Sequence, residues 1–351
     1  MTMNGHPSPR RLLLVSVPRT ASNLLLKILN IPDQPHTVTT DRGGYFFYDA
    51  FVKAVKDGRL TQCPSDWTDD AKTDVQSAFQ ECFDHLEESC NLAEGEGNTM
   101  FAKEHAFWFF NPMASTQAIY GDDKGPYDFS SFRVQVPDAY GSTRTFSPNN
   151  QTVFPDEYLR TWTMLFIIRH PAIVFPSFCR AMTKVSKIGV TNDAIDLGTL
   201  ATNMTLRWTR ILFDWCVEQT GSAPLLLDAH DVIHNPGAVA KFCRLAGLDP
   251  NKLKFEWEKT AQADSGSDDS AAQNSVPQQR DNWDAAKSIM LSTLQGSSGV
   301  MKDKQPGVID IATESKKWRA EFGEEMAMIV EKAVNDAMPD YEYLKANRVT
   351  V

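Results

Sequence analysis

The 351-residue chain predicts an α/β protein of three layers, with a central parallel sheet covered by helices on both faces. Three observations lead there. Residues 11–17, 162–170 and 223–231 are apolar runs without polar alternation, the pattern of strands buried on both faces. The segments between them carry helical periodicity, so strand and helix alternate along the chain. The length is also ample for a sheet with two covered faces, and the whole chain, 1–351, is expected to form one domain.

The elements follow in order. Residues 11–17 form the first strand, closed by Pro18, and a helix runs from Ala21 to Leu29 and stops near Pro32. Residues 45–57 and 69–92 are helical, the second opening on acidic residues that suit a helix N-terminus. Thr99 to Lys103 is a short strand. Residues 111–158 are rich in Pro, Gly, Ser, Asn and Asp with little periodicity and read as a long insertion. The central strand 162–170 is followed at Pro171 by a helix with proline in its first turn. Residues 194–220 read as one long helix, and 223–231 as a strand. Pro236 opens a helix through Leu245 that Gly247 stops. Residues 263–281 are a polar surface connector, and a helix over 313–336 closes the chain.

Composition excludes several function classes. With 35 Lys and Arg against 45 Asp and Glu the net charge is −10, which argues against a general nucleic-acid or membrane-surface binder. An anionic ligand therefore needs a local basic pocket. No apolar run reaches the roughly 18 to 20 residues of a membrane span. The two arginines before residue 12 resemble the start of a secretory signal, but Pro18 and Arg19 interrupt the apolar segment, so a cytoplasmic protein is expected. The six cysteines have no CxxC spacing and read as reduced core thiols. Cys82, His85 and Cys90 fall on separate faces of one helix, and no metal is expected.

The junction after the first strand, Pro18-Arg19-Thr20-Ala21-Ser22-Asn23-Leu24, combines the partnerless N–H groups of a helix start with a guanidinium and two hydroxyls. These can hold an anion such as phosphate. The loop is neither GxxxxGK[ST] nor GxGxxG, and no glycine lies between residues 11 and 30, so the usual NTPase and dinucleotide readings fail. A second cationic strand end lies at Arg169, followed by Pro171 and, eight residues on, by Ser177. A third segment, MFAKEHAF, puts Lys103 and His105 on one face of an extended strand and Glu104 on the other.

Together these three segments resemble the sulfotransferases that use 3′-phosphoadenosine 5′-phosphosulfate (PAPS). That family has Pro-Lys/Arg-Ser/Thr-Gly-Ser/Thr after its first strand, then Lys-x-His, then Arg-x-Pro with a later Ser, in this chain order. LLLDAHDVIHNP (225–236) and Trp318 to Phe322 are similar to later family segments. The resemblance runs from residue 11 to about 335, outside the two insertions. It implies the P-loop-like sulfotransferase fold, PAPS as co-substrate and a small-molecule acceptor with a hydroxyl. It further implies that Arg19, Thr20, Ala21, Ser22, Asn23 and Leu24 hold the 5′-phosphosulfate, and that Arg169 and Ser177 hold the 3′-phosphate. His105 would be the general base, with Lys103 and Arg19 stabilising charge on the bridging oxygen. The chain departs from the pattern at Ala21, where the family has glycine, and at Leu24 and Ala229, where many members have aromatics. It also lacks the Arg-Lys-Gly run before the terminal Trp, for which Lys302 or Lys304 is the substitute at hand. The aromatic clusters Tyr45–Tyr48 and Phe107–Phe110 point to an apolar or aromatic alcohol or phenol as acceptor. The alternatives are a sulfotransferase-fold protein that binds a phosphorylated ligand without sulfuryl transfer, a nucleotide kinase, and a hydrolase using HDVIH (230–234).

Overall fold

The computed structural model describes residues 10–40, 42–63, 66–122, 127–187, 197–258, 277–304 and 306–351. Five parallel strands, β1 (Arg11–Ser16), β2 (Thr37–Val38), β3 (Thr99–His105), β4 (Trp162–Ile168) and β5 (Leu225–Asp228), form one sheet in the order β2-β3-β1-β4-β5. In chain order the helices are α1 (Ser22–Leu29), α2 (Tyr48–Val55), α3 (Asp69–Gly95), α4 (Pro112–Tyr120), α5 (Asp156–Leu159) and α6 (Pro171–Lys187). They continue with α7 (Leu197–Asn203), α8 (Arg207–Thr220), α9 (Ala229–His234), α10 (Pro236–Leu245), α11 (Pro277–Gln295), α12 (Ile311–Phe322) and α13 (Glu324–Ala346).

Strand alternation divides the core into two layers. Leu12 and Leu14 of β1 face Leu25 and Ile28 of α1 and Phe242 of α10. Leu13 and Val15 face the larger layer that holds Phe47, Phe79, Trp208 and Val330. Every residue of β1 is buried, as its unbroken apolar run requires. The chain crosses from β3 over β1 to β4, so the carboxyl ends of these three strands open on one crevice, the place where open α/β sheets bind ligands.

Several elements differ from the sequence reading. The segment 111–158 is not a structureless loop: it contains α4 and α5, and Phe132, Val134, Val153 and Phe154 are buried in the larger layer. Polar composition concealed it, because its apolar residues are spaced irregularly. The helix expected over 194–220 is two, α7 and α8, with the break at Met204–Leu206. The closing helix is likewise two, α12 and α13, divided at Gly323, whose φ of +81° only glycine adopts freely. The strand expected through 231 ends at Asp228, whose carboxylate accepts from the His230 N–H (2.7 Å) and so starts α9. His230 and His234 therefore lie on a helix. Of the connector 263–281, residues through 276 lie outside the described residues, and 277–281 begin α11.

The first residue of β1 ties the insertion to the sheet. Arg11 is buried and donates to Glu94 (2.5 Å) and Glu87 (3.1 Å), while the Tyr140 hydroxyl donates to the other oxygen of Glu87. Arg11→Met would leave Glu87 buried without its cation. The expected cost is about 3 kcal/mol or more in denaturant unfolding. Turnover per folded molecule should not change, because Arg11 lies at the opposite end of β1 from the crevice.

Candidate active site

The loop between β1 and α1 bends tightly. The backbone N–H and hydroxyl of Thr20 both donate to the Val17 carbonyl (3.4 and 2.8 Å), so the Thr20 side chain is buried within the turn. Arg19 and Ala21 both take left-handed backbone, with φ of +72° and +63°. The position where the resembling loop has glycine is thus one that favours glycine, and alanine occupies it at a cost of about 1 kcal/mol. Ala21 supplies no side-chain cap. The first intrahelical acceptor is the Ala21 carbonyl, bonded to Leu25 N (3.0 Å), so the N–H groups of Ser22, Asn23 and Leu24 have no partner within α1. Leu24 packs at the edge of the smaller core layer, and Ala229, the other departure, is buried at the start of α9.

β3 brings its cation and imidazole to the same edge. Parallel pairing sets Ser16 opposite His105 and Val15 opposite Glu104. Lys103 is fully buried, donates from Nζ to Asn23 Oδ1 (2.7 Å), and lies 4.4 Å above the centre of the Tyr45 ring. Burial, opposed by the charge of Glu104, lowers its ammonium to about 7. His105 is hydrogen-bonded through Nδ1 to Ser16 Oγ (2.9 Å) and through Nε2 to the Tyr45 hydroxyl (3.1 Å). Burial, then the charge of Lys103, hold the imidazole well below its usual range, so it is neutral at pH 7. The Trp108 ring stands edge-on to it at 4.6 Å. Glu104 faces the other layer, where Oε1 accepts from the N–H groups of Phe46 (2.5 Å) and Phe47 (3.0 Å). Burial raises its carboxyl to about 8.

The end of β4 closes on the same loop. Arg169 donates from Nη1 to the Arg19 carbonyl (3.3 Å). Arg19 donates from Nε to Ser177 Oγ on α6 (3.0 Å) and from Nη1 to the Met290 carbonyl on α11 (2.5 Å). Burial, then the neighbouring Arg19 charge, lower Arg169 to about 10, with Asp228 opposing. Among the described residues no carboxylate forms an ion pair with Arg19. Two guanidinium groups are therefore close enough to act on each other, each half-buried.

The structure thus brings Arg19, Asn23, Lys103, His105, Arg169 and Ser177 to one edge of the sheet, with Thr20, Ala21, Ser22 and Leu24 in the loop and first turn beneath them. Sequence reasoning missed Ser16 and Met290, and it read Tyr45 only as part of an aromatic cluster. Ser16 carried a signal, since it is the one hydroxyl in the run LLLVSV. Met290 carried none, because a backbone carbonyl has no residue type. Lys302 is exposed in a short turn, Lys302–Lys304. No group of three or more His, Cys, Asp or Glu residues suited to a metal occurs among the described residues, and no described helix is long and apolar enough to cross a membrane.

Next to Arg169, His170 is also buried. Its Nδ1 accepts from the Ala172 N–H (3.2 Å), and burial followed by the Lys345 charge lowers it to about 4. Below about pH 6.5 the unfolded chain binds a proton at this residue that the folded chain refuses until about pH 4. Its contribution is therefore complete above pH 6.5 and is lost as pH falls. His170→Gln should gain on the wild type by about 1 kcal/mol per pH unit between pH 6.5 and 4.5, as urea unfolding at stepped pH would show.

No protein-family profile matches the chain. Two curated relatives do. Sulfotransferase ppzF of Metarhizium rileyi (strain RCEF 4871) is 36% identical over 360 residues, covering 99% of this chain and 98% of its own. Sulfotransferase ppzF of Metarhizium majus (strain ARSEF 297) is 36% identical over 356 residues, covering 97% of each. Among solved structures, the sulfotransferase domain from the curacin biosynthetic pathway overlays 90% of this chain and 98% of its own, with a TM-score of 0.35 and 11% identity. The sulfotransferase domain of the Synechococcus PCC 7002 olefin synthase scores 0.34 with 12% identity, covering 92% of this chain and 97% of its own. Scores this low carry no weight beside the full-length relatives. On the strength of those relatives, this chain belongs to the sulfotransferase family.

Proposed function

We propose that the protein transfers a sulfuryl group from PAPS to the hydroxyl of a small apolar or aromatic acceptor, and that the whole chain serves as one catalytic domain. The observation that carries this reading is the convergence of Arg19 and Arg169 from two different strand ends, within reach of Lys103 and His105 on a third. Two neighbouring half-buried guanidinium groups repel each other, and a doubly phosphorylated ligand is the chemistry that relieves them. In this reading Ser22, Asn23 and the N–H groups opening α1 face the 5′-phosphate, with Thr20 and Ala21 shaping their loop and Leu24 beside it. Arg169 and Ser177 hold the 3′-phosphate. Six free thiols, five of them buried, accord with a cytoplasmic setting.

These residues supply the chemistry by position and charge, as in phosphoryl transfer. Arg19 and Lys103 stabilise negative charge developing on the bridging oxygen as the bond between sulfur and the 5′-phosphate breaks. His105, neutral at pH 7, takes up the proton of the acceptor hydroxyl. Tyr45, Trp108 and their aromatic neighbours give the surrounding wall its apolar character.

Two outcomes test this. His105→Ala should lower transfer of labelled sulfate to a panel of phenols and alcohols by at least about 100-fold, while adenosine 3′,5′-bisphosphate binding by calorimetry stays within about twofold. Arg169→Ala should weaken that binding by about 100-fold. Bisphosphate binding unaffected by Arg169→Ala would remove the donor site. A second outcome follows from Lys103. A lysine that titrates near 7 in the free protein holds an anion only when charged, so bisphosphate affinity should fall above pH 7, by up to about tenfold per unit. Lys103→Met should flatten that decline.

A further inference from the structure

Hydrogen bonds link Tyr45 to His105 and on to Ser16 and the Glu104 carbonyl at the end of β1, and beside them Lys103 is bonded to Asn23 of the anion loop. At one end the Ser16 hydroxyl donates to the Glu104 carbonyl (3.3 Å). With the hydroxyl proton so placed, its oxygen accepts from His105 Nδ1 (2.9 Å), in the tautomer that leaves Nε2 free to act as a base. Nε2 is then the bare nitrogen, and the Tyr45 hydroxyl donates to it (3.1 Å). Beside them the Lys103 ammonium can only donate, so Asn23 Oδ1 accepts (2.7 Å). Donors and acceptors match without conflict along Tyr45, His105, Ser16 and the Glu104 carbonyl.

The lone pair through which His105 would act as base is thus already filled by a phenol, and the imidazole is buried behind that phenol and Trp108. Tyr45 is firmly held. Its two successors give their N–H groups to Glu104 Oε1 (2.5 and 3.0 Å), and the preceding Gly44 carbonyl accepts from Lys103 N (2.9 Å). Gly44 has φ of +90°, and a Cβ there would lie 2.9 Å from Lys103 N, so only glycine lets the backbone come this close. Above the ring face sits the Lys103 ammonium at 4.4 Å, and burial raises the phenol well above its usual range, so it is neutral at pH 7.

We propose that Tyr45 is a catalytic residue that relays the acceptor's proton to His105. This rests on the sulfuryl-transfer reading above and adds the route of the proton. The acceptor oxygen forms its bond to sulfur as the bond between sulfur and the 5′-phosphate oxygen breaks, with the electron pair leaving on the phosphate. The acceptor proton passes to Tyr45 Oη while the phenol's own proton passes to His105 Nε2. The phenol is neutral before and after, and the imidazolium that results is held by its Nδ1–H bond to Ser16.

The test uses the full-length protein, labelled PAPS and the best acceptor from the phenol and alcohol panel. Tyr45→Phe keeps the ring and should lower kcat about 100-fold, with bisphosphate affinity within twofold of wild type. 3-Fluorotyrosine at position 45, which restores the hydroxyl, should recover most of that loss. Rates in mixtures of light and heavy water should depend on deuterium fraction with curvature in the wild type, where two protons move, and linearly in Tyr45→Phe. A Tyr45→Phe enzyme as fast as wild type, or faster, would show that the phenol merely occupies the acceptor's place and would overturn the relay. A linear wild-type dependence would overturn it as well, whatever the stability of the variant. Wild-type protein that neither binds bisphosphate nor transfers sulfate would overturn the function reading itself, and the relay with it.

Discussion

The register between β1 and β3 is the constraint on which the rest depends. Pairing Ser16 with His105 fixes where both strands end, and therefore which backbone groups face the crevice. Because strand side chains alternate, the same register directs Lys103 and His105 toward α1 and the anion loop and turns Glu104 to the other layer. A slip of one residue would exchange these faces, burying the two basic groups against Phe47 and bringing the carboxyl toward two arginines. The unbroken apolar burial of β1 makes such a slip costly.

Around that register the chain accepts several local costs. Arg19 and Ala21 lie in left-handed backbone, Lys103 is fully desolvated, and Arg169 is lowered by its guanidinium neighbour. Each is unfavourable alone, and all four fall within one edge of the sheet. Elsewhere the described chain follows ordinary rules: Thr68, Asp228, Asn235 and Asp310 cap their helices with side-chain oxygens, and Gly323 ends α12. Left-handed backbone also occurs at Asn30, His36 and Asp57, but among the described residues it coincides with desolvated, mutually repelling cations only at this edge of the sheet.

How much of this could be read beforehand depended on the kind of signal each residue carries. Three of the five strands were legible as continuous apolar runs, although the last was read through 231 rather than to Asp228, and the two-residue β2 was too short to be seen. Arg19 and Arg169 stood out because charge beside a buried run is conspicuous, and Lys103, His105 and Ser177 because their spacing resembles the family's motifs. The fold of 111–158 was not legible, since Phe132, Val134 and Phe154 enter the core at irregular intervals from polar surroundings. The breaks at Met204 and Gly323 were hidden because periodicity continues across them. Tyr45 was visible as an aromatic residue but not as a hydroxyl donor, and the Met290 carbonyl could not be seen at all. Both depend on chain segments distant in sequence arriving at one point.

Glu104 has a consequence that reaches past the crevice. Its carboxyl accepts from the backbone N–H groups of Phe46 and Phe47, and the Phe47 ring is set among Phe79, Phe109 and Phe154 deep beneath the sheet. The phenol oxygen beside the imidazole is thus suspended from the far layer by a strand residue pointing away from it. The two sides of the sheet are mechanically joined at this one carboxyl. Altered packing among those distant rings would be transmitted as a displacement of an oxygen atom whose position must hold to within a few tenths of an ångström, on the order of what a hydrogen bond tolerates.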